Sequence, residues 1–201
     1  MPRLRSSSRL GTMMSRYWRD DYASQIAEFA ISLPLLLVFV VGIFDFSGAL
    51  TLKQKLTNAA LVGARVAAAD PANDLGNVST TLPVSVQDAF YVVDNYLVSA
   101  NVNDCGLAGA KPVQSAGTLT WISTASGCPT LSPNTVKLTI NRGFMTQQAI
   151  GATTEDVIGT QIEIQYPYKW TFNRVITLLV PGATYSSISY ISSTATALNE
   201  N

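Results

Sequence analysis

The apolar segment from Ala30 to Phe44, entered through Ala23-Ser24-Gln25-Ile26-Ala27-Glu28-Phe29, constrains this chain more than any other feature. Five arginines precede it (Arg3, Arg5, Arg9, Arg16 and Arg19). From Phe29 to Phe44 a helix would measure roughly 24 Å, somewhat short of the ~30 Å hydrocarbon core of a bilayer. Continuing to Leu52, with Asp45 near the far edge, brings it to spanning length. The arginines all lie on the N-terminal side, which predicts a cytoplasmic N-terminus and an extracytoplasmic bulk. A carboxylate at the lip of such a span, Glu28, is costly unless it sits at the interface or has a partner. Its presence points to a helix that packs against other helices.

The charge balance agrees with that division. Charged residues make up 13% of the 201, about half the usual share, and between Phe29 and Leu52 Asp45 is the only ionisable side chain. Residues 1–23 carry five Arg against Asp20 and Asp21, net +3, and leave the remainder at −3. A mildly acidic remainder without a basic patch excludes nucleic acid as the expected partner. A secretory signal peptide is the competing reading, because Ser47-Gly48-Ala49 has the small-residue character of a signal-peptidase site. Its n-region would then be about 28 residues long and would contain Asp20, Asp21 and Glu28.

Helical patterning continues past the apolar run. From Leu50 to Ala69 the chain reads LTLKQKLTNAALVGARVAAA, and Leu52, Leu56, Ala59/Ala60, Gly63 and Ala67 recur at the three- and four-residue steps of one helical face. Asp70-Pro71 supplies a stop. The expected organisation is a basic cytoplasmic leader over 1–23, one long helix over 24–70 with its membrane span at about 26–50, and an extracytoplasmic α+β domain over 71–201. The narrowing face at Ala60, Gly63, Ala64 and Ala67 suits either the helix's own sheet or a neighbouring molecule. Pro34 falls inside the span, where it frees a carbonyl and kinks or loosens the helix.

On these residues the chain resembles TadE-like proteins, minor pilins or pseudopilins of the tight-adherence (Flp-type, type IV) pilus machinery. The resemblance rests on Glu28-Phe29, Leu33-Pro34-Leu35-Leu36-Leu37, Gly42-Ile43 with Asp45, and Asn58-Ala59-Ala60 with Gly63-Ala64-Arg65. It implies cleavage by a prepilin peptidase between Ala23 and Ser24, which makes Glu28 the fifth mature residue. Ala23 departs from the glycine usual before the cut. The implied partners are other pilin subunits, the peptidase, an inner-membrane assembly platform with its ATPase, and membrane lipid. The new Ser24 ammonium would lie one turn from the Glu28 carboxylate, in its own chain or a neighbour, and their pairing would set the register of an incoming subunit.

The region after Asn73 reads as α+β. Asp74 to Thr81 is a polar turn region. Pro83 opens a helix whose stripe runs Val84, Ala89 or Phe90, Val93, Leu97 and Val98. Strands are expected at 117–123, 135–141, 157–168 and 185–197, giving an antiparallel sheet of about four strands in a pilin-like plan. Residues 174–180 form a short helix or a crossing. Cys105 and Cys128 lie in small-residue loops on the predicted outer side, where a disulfide is favoured. It would close a loop worth roughly 3 kcal/mol.

Catalysis finds little support. The chain has no histidine, which removes the commonest general base and every Ser-His or Cys-His pair. Two cysteines without histidine make a poor metal site. The adjacent acids Glu155-Asp156 are expected in a solvated loop, and no cofactor is implied. Tyr166, Tyr168, Trp170 and Phe172 alternate, so on a strand they share a face. That face is either core under the long helix or a surface contact through Trp170. The overall expectation is a non-enzymatic minor pilin, inserted once in the inner membrane and taking part in pilus assembly or adhesion. An uncleaved single-span binding or sensor domain is the alternative.

Overall fold

A computed structural model describes residues 10–77, 82–128, 134–150, 153–170, 182 and 190–199. Two units are distinguished, one comprising residues up to Asp45 together with 171–185, the other Phe46–Trp170 with 186–201.

In the first unit the described residues, apart from Gly182, belong to the N-terminal part of helix α1, Leu10–Ala69. The helix starts within the segment assigned from sequence to the leader. Pro34 lies inside it, and the helix continues past it. The segment Ser24–Ala69 is long and apolar enough to cross a membrane.

The second unit is built on the remainder of α1. Helix α2 spans Val84–Ser99, with Pro83 at its cap and the Val86 and Gln87 amides bonded to the Pro83 carbonyl at 3.1 and 3.0 Å. Proline suits this place because its missing N–H would have had no helical partner. Its buried positions Ala89, Phe90, Val93 and Leu97 follow the expected stripe, Val86 is buried in addition, and Val84 and Val98 face outward. A 3-10 turn, Ala72–Asn77, occupies the start of the polar region between the helices.

Among the described residues the sheet has five strands, one more than expected: β1 Val113–Gln114, β2 Thr120–Ala125, β3 Val136–Ile150, β4 Thr153–Pro167 and β5 Tyr190–Leu198. They form an antiparallel meander in chain order. The additional strand, β1, is two residues long, too short for a period-2 pattern to show. Glu155 and Asp156 lie in β4 rather than in a loop. Their β3 partners Gln148 and Gln147 are polar too, so no apolar alternation marks this length of hairpin. Residues 174–180, 185 and Phe172 lie outside the described residues.

Alternation in β3 and β4 places Val136, Leu138 and Ile140, and Ile162, Ile164 and Tyr166, on the buried face. Register then sets Leu138 against Ile164, and Ile140 between Trp121 and Ile162. Leu56, Ala59, Ala60, Ala64 and Ala67 of α1 are fully buried in the same core. The small-residue face is therefore used within its own domain: Gly63 passes so close to α2 and β4 that a Cβ there would meet Val93 Cγ2 at 2.5 Å and Ile162 Cδ1 at 2.9 Å. Thr57 of α1 and Ser193 of β5 share a hydroxyl hydrogen bond of 2.7 Å beside this seam.

Candidate processing and assembly segment

Residues 24–31 of α1 are all exposed, and the apolar ones strongly so: Ile26 by 69%, Phe29 by 63% and Ile31 by 78%. The same holds for Leu35, Leu36, Leu37, Phe39, Ile43, Phe44 and Phe46. At ~25 cal/mol per Å² of apolar surface, a helix dressed in this way needs lipid or other helices around it. Ser24 and Glu28 are four residues apart in α1 and so share a face. Helix continues through the Ala23–Ser24 peptide bond. Pro34 is half-buried, and Ser32 Oγ donates to the Phe29 carbonyl one turn back at 3.3 Å. Asp45, at the far end of the run, is buried.

Where α1 leaves the apolar run, aromatic rings gather. The Phe46 and Trp170 centroids are 6.5 Å apart, and those of Tyr168 and Trp170 are 5.0 Å apart, edge to face. Trp170 and Tyr168 are half-buried and packed against the core. Tyr166, by contrast, is buried, and its hydroxyl donates to the Asn103 carbonyl at 2.8 Å.

The 101–110 loop is tied to the sheet side by the Cys105–Cys128 disulfide, with a Cα separation of 4.8 Å. Cys105 adopts a left-handed φ of 55°. It is held by the Gly127 amide on its carbonyl at 2.7 Å and by its own amide on Asn103 Oδ1 at 2.9 Å. This loop also places Asp104 by Asp94 of α2. Burial raises the Asp94 pKa, and the charge and hydrogen bond of Asp104 raise it further. Burial, then the Asp104 charge, raises that of Tyr166 as well.

Sequence reasoning missed the role of Arg142. It continues the inward parity of Val136, Leu138 and Ile140, so a charge at an apolar-phase position was its visible signal. Arg142 is 1% exposed. It donates to the carbonyls of Ala67 and Asp70 at the end of α1, the latter at 3.0 Å, to Thr160 Oγ1 at 2.8 Å and to Asn199 Oδ1 at 3.3 Å. The β3–β4 register shifts between Asn141 and Phe144, so an irregularity in the ladder coincides with this residue. Lys55 does the same for α2, its ammonium on the Ala100 carbonyl at 2.7 Å. Neither helix has a basic residue in its own last turn. Both C-terminal dipoles are thus met by cations brought from elsewhere in the chain.

Among the described residues no group of three or more His, Cys, Asp or Glu is placed to hold a metal ion. The model of the TadE-like protein family matches residues 23–65, about a fifth of the chain. The match bears out the resemblance read from those residues and ends before α2 and the sheet. No curated protein and no solved structure matches the chain.

Proposed function

We propose that this chain is a minor pilin of a tight-adherence pilus, cut by a prepilin peptidase between Ala23 and Ser24. It is held by one span with its N-terminus in the cytoplasm and its sheet domain outside. The observation that carries this reading is that the family match begins at Ala23 and takes in Glu28 on a helix whose apolar surface is exposed. The arginine-rich leader supports the orientation, and the disulfide suits an oxidising compartment. In this role Glu28 pairs with the Ser24 ammonium of its own or a neighbouring subunit, Phe29 packs beside it, and Pro34 eases passage of the helix from bilayer to assembly. Other pilins, the peptidase, the membrane platform and lipid are the partners. The role is structural rather than catalytic.

Terminal peptide sequencing and intact mass of the membrane-extracted protein test the cut, with a chain starting at Ser24 as the expected result. Glu28→Leu should insert normally yet fail to enter assemblies, and its normal incorporation would overturn the pairing role. One observation favours the alternative of an uncleaved single-span binding domain: α1 runs unbroken through the Ala23–Ser24 bond. A full-length chain recovered from cells that contain the peptidase would establish that alternative.

A further inference from the structure

β3 and β4 are each 15 residues long, yet their outer neighbours cover only part of them. β2 pairs with β3 from Val136 to Asn141, and β5 pairs with β4 from Gly159 to Pro167. From Phe144 to Ile150 and from Thr154 to Val157 the two strands form ladder pairs only with each other among the described residues, and the Ile158 carbonyl accepts from the Asn199 amide at 3.3 Å. The result is a two-stranded arm extending beyond the ladders that flank it. Met145 is 65% and Ile158 53% exposed, and Gln147, Gln148 and Thr153–Asp156 are exposed as well.

An arm of this kind is marginal by itself, since two strands without a packed face barely hold together in water. Its outer edges also carry backbone groups that no described strand satisfies. Edge strands that remain unpaired are ordinarily blunted by Lys, Pro or inward charges. The β3 edge reads Phe-Met-Thr-Gln-Gln-Ala-Ile over residues 144–150 and carries none of these. The β4 edge differs, because Glu155 and Asp156 sit on it. Two β4 edges brought together would set acids against acids, which destabilises cross-strand pairs, whereas two β3 edges meet without any charge.

We propose that the β3 edge of this arm, Phe144–Ile150, is a strand-addition site for the same segment of a second copy of this chain, paired antiparallel about a two-fold axis. The symmetry is specific. A two-fold axis perpendicular to the ribbon preserves which face each side chain occupies, so paired residues have the same parity and one residue must face itself. Met145, Thr146, Gln147 and Gln148 are the central candidates. With the β4 edges acidic, association closes at two copies instead of propagating edge to edge. The pairing rests on the arm alone and does not require cleavage at Ala23.

Single cysteines at 145, 146, 147, 148 and, as control, 155 test this in the full-length membrane-inserted chain under mild oxidation. Both native cysteines are already joined, so the introduced thiol is the reactive one. At the self-facing position the Cβ atoms lie about 4.5–5.5 Å apart. One position away, the two thiols are displaced by two residues, roughly 7 Å along the strands, beyond disulfide reach. The expected result is a dimer of two chains that peaks at one β3 position, falls about ten-fold on either side, and is absent for Glu155→Cys. Uniform cross-linking along β3, an equal product from Glu155→Cys, no product at any β3 position, or an adduct of another mass each overturns it. Unchanged tryptophan emission in each variant controls for folding. The N-terminus read from the same samples reports the pilin reading independently.

Discussion

Gly63 stands where α1 comes closest to both α2 and β4, and Gly63→Ala separates two opposing effects of one methyl group. In an exposed helix interior the change would stabilise by about 1 kcal/mol, because alanine loses less backbone entropy. Here the methyl would lie 2.5 Å from Val93 Cγ2 and 2.9 Å from Ile162 Cδ1, and both of those residues are fully buried. The Ile162 terminus can swing aside, but Val93 is held in one χ1 well on α2. Overpacking of this kind costs about 1–3 kcal/mol, so the sum is a net loss of about 1 kcal/mol. For a chain of this size that lowers Tm by about 2–4 °C. Detergent-solubilised full-length protein would be unfolded in urea and followed by tryptophan emission, with Trp121, 2% exposed, as the core reporter. Val93→Ala alone should cost about 2 kcal/mol through lost burial and a cavity. In the double variant the new methyl occupies the vacated space, so the losses should fall short of additive by about 1 kcal/mol. A Gly63→Ala protein more stable than the parent, or strict additivity with Val93→Ala, would refute the close approach.

Two further outcomes follow from buried charge. Arg142→Met removes the donors that serve the Ala67 and Asp70 carbonyls, Thr160 and Asn199. It should cost about 3–5 kcal/mol and speed amide exchange in the last turn of α1; a loss under ~1 kcal/mol would show the network to be dispensable. Asp94 has a raised folded-state pKa, so the native chain binds its proton more tightly than the unfolded chain. That contribution is complete below the ordinary value of 3.8 and is lost as pH rises through the folded value. Asp94→Asn should therefore be more stable than the parent above that window and flatten the pH profile; an unchanged slope would show that the Asp94–Asp104 pair does not govern it.

Much of the candidate site was legible because membrane insertion and helix formation are read from contiguous residues. Length, apolarity and the arginine bias do not depend on what the helix later touches. The same locality marked Pro83 as the opening of α2, and period-2 alternation located the first half of β3 and the second half of β4. Where that alternation gave way to the polar pairs Gln148–Glu155 and Gln147–Asp156, the strands continued unseen. Backbone pairing had taken over from side-chain burial as the organising force.

By itself, then, the sequence determined that a long apolar helix leads a disulfide-bearing α+β domain, and that Glu28 lies one turn from Ser24. Only the tertiary structure decided what the small-residue face of α1 meets, and it meets Val93 and Ile162 of its own domain. It alone brought Arg142 to the end of α1 and Lys55 to the end of α2. These are contacts between residues 45 to 75 positions apart in the chain. Periodicity states that a face will be buried, but the choice of its neighbour is made by packing across the whole core.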